Sequence, residues 1–72
     1  MAVYQYVNAE QKVAQVVVRG DKVDEVPPND LTFFVASPGD EMEVYVNDPA
    51  NGPRRLIESG KVGKLASRVR LV

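Results

Sequence analysis

The chain has no cysteine and no histidine among its 72 residues. The first absence excludes disulfides and thiolate metal sites, and the second removes the commonest transition-metal ligand. No stretch approaches the roughly 18–20 consecutive apolar residues that cross a bilayer. The N-terminus lacks a basic region followed by an apolar run, so the expectation is a soluble chain without a signal peptide, in the cell or in a virion. Acidic residues are scarce at one end and basic residues at the other. Residues 1–53 hold nine acids and three bases, a net of −6; residues 54–72 hold six bases and one acid, a net of +5; together they give −1. Segregation of this kind speaks of association rather than of fold.

At this length one domain over 1–72 is expected, near the small end of what folds alone. Such a core contributes only a few kcal/mol and natural domains add a staple. With disulfides and thiolate metal sites excluded, self-association or docking on a larger assembly is an open route to completing the core.

What the chain does have is period-two alternation, the mark of half-buried strands. It is cleanest in Glu41–Asn47, where Met42, Val44 and Val46 face one way and Glu41, Glu43, Tyr45 and Asn47 the other. Ser37-Pro38-Gly39-Asp40 is a turn, and Leu31–Ala36 before it is a strand, so the two strands are expected to pair as a hairpin. Further strands are expected over residues 2–7, 12–19, 22–26, 54–59 and 66–72. The segment 54–59 also admits a helical turn starting at Pro53. Dense turn chemistry at 27–30 and 48–53 separates these segments. Six or seven short strands at this spacing predict an all-β fold, a small antiparallel barrel or sandwich, with a meander over residues 12–47.

Faces follow from the same alternation. Phe33 is expected inside with Leu31 and Val35, which leaves Phe34 to be covered by a loop, a second layer or a partner. Tyr4 and Tyr6 share a face opposite Val3 and Val7. Val16-Val17-Val18 breaks alternation, so either both faces are covered there or one valine meets another chain.

The residues that could carry chemistry are few. Glu41 and Glu43 share a strand face beside Asp40, but nothing nearby would separate their pKa values, so they read as an acidic strip and not as a catalytic dyad. Asp21, Asp24 and Glu25, or Asp40 and Asp48, lack calcium-loop spacing. Gly60–Lys64 lacks the gap and ending of a phosphate loop. Arg19-Gly20-Asp21 falls where a hairpin turn is needed, and glycine supplies the positive φ. No catalytic residue, metal or cofactor is therefore expected.

The expected function is a non-enzymatic protein–protein interaction or assembly module, for example a small accessory subunit of a viral or phage particle. Its contact surface would combine Tyr4, Tyr6, Phe34 and Tyr45 with Glu41, Glu43, Arg54, Arg55, Arg68 and Arg70. The alternative is a small-barrel nucleic-acid binder using Arg54, Arg55, Arg68 and Arg70 with Tyr4 or Tyr6.

Overall fold

A computed structural model describes residues 1–47, 54–64 and 68–72. It contains strands β1 (Ala2–Val7), β2 (Ala14–Val18), β3 (Asp21–Val26), β4 (Leu31–Ala36), β5 (Glu41–Val46), β6 (Arg55–Lys61) and β7 (Val69–Leu71), with a short 3-10 turn at Val62–Lys64. The strands form two antiparallel sheets, ordered β4-β1-β7 and β3-β2-β5-β6. The fold is an all-β sandwich and not a closed barrel. The turn expected over 48–53 lies outside the described residues, as does the start of the strand expected over 66–72.

The β2–β3 hairpin obeys the local turn chemistry. Between β2 and β3 the two-residue loop is Arg19-Gly20, with φ of 54° and 83°, and Val18 faces Asp21. Positive φ at both central residues matches the right-handed twist of the strands. Asp21 thus begins the next strand, one residue earlier than a Gly20-Asp21 turn would place it. Residues 55–61 are strand, paired antiparallel with β5.

The expected Leu31–Ala36 to Glu41–Asn47 hairpin does not form, and the meander fails with it. Ser37–Asp40 is a turn: the Asp40 amide donates to the Ser37 carbonyl at 3.0 Å, and the Ser37 amide donates to Asp40 Oδ2 at 3.0 Å. This turn carries the chain from one sheet to the other. β4 pairs with β1, whereas β5 pairs with β2 and β6.

The inner faces of the sheets supply complementary volumes. The four-stranded sheet contributes Ala14, Val16, Val18, Val26, Met42, Val44 and Val46, and the three-stranded sheet contributes Tyr4, Tyr6, Phe34, Ala36 and Val69. Stacked sheets lie about 10 Å apart. Small aliphatic residues on one side leave space that large rings on the other must fill. Tyr4 and Phe34 do so as a stacked pair with centroids 5.9 Å apart. This packing overturns two expectations. Tyr4, Tyr6 and Phe34 are core residues, and Leu31, Phe33 and Val35 are exposed.

The valine triplet resolves the same way. Val16 and Val18 enter the core, while Val17 stays buried on the outer face, flanked in register by Lys22 and Glu43. Both faces are covered there. A bulge between Val16 and Val17 skips Val23 of β3, and a second skips Ile57 of β6.

One buried polar side chain ties the connections together. Asn8 is fully enclosed; its Nδ2 donates to the carbonyls of Lys12 (2.9 Å), Val26 (2.9 Å) and Pro27 (3.2 Å), and its Oδ1 accepts from the Glu10 amide (2.9 Å). Its backbone bonds Asp30 and Asn29 as well. The β1–β2 and β3–β4 connections are thereby held on one amide.

Candidate functional site

The outer face of the four-stranded sheet is mainly polar, with Leu56 of β6 an exposed apolar member. Gln15 faces Tyr45 across the β2–β5 ladder, and Val17 faces Glu43. The Arg54 guanidinium lies 4.0 Å from the Tyr45 ring centroid, and its Nη1 donates to Gln15 Oε1 at 3.3 Å. A cation over an aromatic face is attracted by the ring quadrupole. The Tyr45 phenol is raised above its ordinary pKa of 10.0, first by desolvation, then by the Glu43 carboxylate, with Arg54 opposing. Of the expected contact residues, Glu43, Tyr45 and Arg54 are therefore brought together here. Glu41 sits at the end of β5 opposite Lys61, and Arg55 opposite Val46. Part of the charge segregation is thus an acidic strand lying beside a basic one.

The outer face of the three-stranded sheet is different. Its register makes three rows. Val35 faces Val3, and the Val72 amide donates to the Val3 carbonyl at 2.9 Å, which continues the row. Phe33 faces Gln5, which faces Arg70. Leu31 faces Val7, whose amide bonds the Arg68 carbonyl at 3.0 Å. Because Tyr4, Tyr6 and Phe34 point inward, the alternate residues Val3, Val7, Leu31, Phe33 and Val35 must point outward. All are exposed, Phe33 by 56% and Val35 by 55%. With Val72 they make a contiguous apolar patch across three strands. Gln5 and Arg70 are the polar members of the middle row.

A third feature is a cleft of about 200 Å³ lined by Tyr6, Glu10, Ile57, Glu58 and Arg68. Burial pushes the Tyr6 phenol up to about 12, with Glu58 and Glu10 adding to the shift and Arg68 opposing it. The phenol therefore stays protonated across the physiological range. Among the described residues no group of three acidic side chains is placed to hold a metal ion, and no helix is long and apolar enough to cross a membrane.

The expected contact residues do not form one surface. Tyr4, Tyr6 and Phe34 are in the core, Tyr45 and Arg54 lie on one outer face, and Arg70 lies on the other. The residues missed are Val3, Val7, Leu31, Phe33 and Val35. Their signal was present as apolar alternation, assigned to the wrong side. Comparison with family models, with curated proteins and with solved structures returns no match, so the two faces themselves carry the functional reading.

Proposed function

We propose that the protein is a non-enzymatic protein–protein interaction module that docks through the outer face of its β4-β1-β7 sheet. The observation that carries this reading is the apolar patch of Val3, Val7, Leu31, Phe33 and Val35 on a sheet whose inner face is already filled. Contiguous apolar surface of this extent costs free energy in water and is found where proteins meet. An exposed phenylalanine and an arginine at the two ends of the middle row, on β4 and β7, are residue types enriched at interfaces. The virus- or phage-particle setting rests on size and general type and is not part of this proposal.

The nucleic-acid reading loses its stacking platform, because Tyr4 and Tyr6 are buried. Its arginines also divide between opposite faces, Arg54 over Tyr45 and Arg70 beside Gln5.

A photo-crosslinking phenylalanine analogue at position 33, in the cell that makes the protein, tests the docking face. The expected result is a discrete adduct from position 33, none from position 56 on β6, and loss of the adduct in Val35→Lys. No adduct from position 33, or equal adducts from both positions, contradicts the reading.

A further inference from the structure

We propose that the occupant of this face is a second copy of the same chain, packed sheet to sheet about a two-fold axis running along β1. The proposal rests on the docking reading above and names its partner.

Area is the first support. A two-fold contact covers the exposed side chains of Val3, Val7, Leu31, Phe33, Val35 and Val72 twice over, and the surrounding rim brings it towards the roughly 1,200 Å² at which specific interfaces begin. A net charge of −1 leaves little Coulombic repulsion between copies.

Charge then chooses the axis. Two face-to-face sheets related by a two-fold admit an in-plane axis along the strands or across them. An axis across the strands through the middle row sets Arg70 against Arg70 of the second copy, a like-charge pair in a desolvating contact. An axis along β1 exchanges the β4 and β7 columns and keeps the rows. It places each Arg70 over Phe33 of the other copy, twice by symmetry, as a cation on a ring. It places Val72 over Val35, and Val3 and Val7 over their own mates. Gln5 lies on the axis, and an amide both donates and accepts, so it can bond its mate across the two-fold. The basic edge of one copy also comes near the start of β4 in the other, where the Asp30 carboxylate accepts from the Leu31 amide.

Sedimentation equilibrium of the purified full chain over a wide concentration range tests this. Wild type is expected to reach dimer mass and to dissociate on dilution. Phe33→Arg sets two arginines together in each half of the contact and is expected to weaken dimerisation by about 100-fold, as apposed like charges do. Arg70→Glu in that background restores opposite charges, and most of the loss is expected to be regained. Circular dichroism confirms that each variant is folded; should Phe33→Arg not fold, Arg70→Glu alone, on an exposed edge strand, is expected to weaken the dimer too.

A wild-type chain that stays monomeric at every concentration overturns the proposal, whether or not it binds lipid vesicles or another protein. So does a dimer indifferent to Phe33→Arg, or a double variant that recovers nothing. A monomer that still gives the position-33 adduct loses the second copy and keeps the docking face; a monomer without that adduct loses both.

Discussion

The two sheets of this sandwich share one core and differ on the side each turns outward. The four-stranded sheet presents Gln15, Glu43, Tyr45 and Arg54, joined by a hydrogen bond and a ring–cation contact. Its one outward valine in β2, Val17, is already covered. The three-stranded sheet presents valines, a leucine and a phenylalanine, open to solvent. The first face carries one exposed leucine, Leu56 of β6, among these polar groups. The second carries apolar surface that the fold does not need, since Tyr4, Tyr6 and Phe34 fill the interior without it. Adjacent residues Phe33 and Phe34 show the difference within a single strand.

That pair also gives the sharpest way to break the comparison. Phe34→Ala removes a ring packed on Tyr4 and is expected to cost about 3–5 kcal/mol. Phe33→Ala, measured where the monomer predominates, is expected to change stability by less than about 1 kcal/mol. Urea titration of both variants reads the contrast, and equal losses would mean that Phe33 also belongs to the core.

Next in size is the amide that holds the connections in place beneath both faces. Asn8→Ala leaves three carbonyls and one amide without their partner, and is expected to cost about 2–4 kcal/mol by thermal or urea unfolding, the scale of an enclosed polar group left unsatisfied. Asn8→Asp is expected to be no milder, since a carboxylate cannot donate to those carbonyls.

Alkaline pH tests the enclosed position of Tyr6. Tyr6 ionises at 10.0 in the unfolded chain and at about 12 in the folded one. The folded state therefore keeps a proton that the unfolded state releases, and this contribution to stability is full below 10 and lost as pH rises towards 12. Spectrophotometric titration is expected to show a phenol ionising near 12, and stability is expected to fall across the same window. Titration of every phenol close to 10 would contradict the enclosed position of Tyr6.

The smallest effect belongs to the polar face. Arg54→Ala removes the cation over Tyr45 and is expected to cost about 0.5–1 kcal/mol, with no change in association. A measurable loss of self-association in this variant would move the contact to the wrong sheet.

Much of the fold was legible in the residues. Period-two alternation located the strands, and the glycine at position 20 located the β2–β3 turn. Pairing was less legible. Ser37-Pro38-Gly39-Asp40 reverses the chain in either case, and nothing local distinguishes a hairpin from an arch between sheets. The choice of inner face was not legible either. In Leu31–Ala36 both sets of alternate residues are apolar or nearly so, and the selection was made by the volumes of Val16, Val44 and Val46 across the core. Asn8 reads as an ordinary loop residue, because its side-chain partners are up to 19 positions away. The candidate site was therefore hidden in plain composition: the right residue types, assigned to the opposite side of the strand.

The central claim is that the outward ring of Phe33 meets another macromolecule, and foremost a second copy of this chain. Isotope-filtered nuclear Overhauser spectra of a mixed labelled and unlabelled sample test it most directly. The account predicts cross-peaks between the Phe33 ring of one copy and the Arg70 side chain of the other, with Val3 meeting Val3. Cross-peaks confined to the Tyr45 face, or none between copies at any concentration, would contradict it.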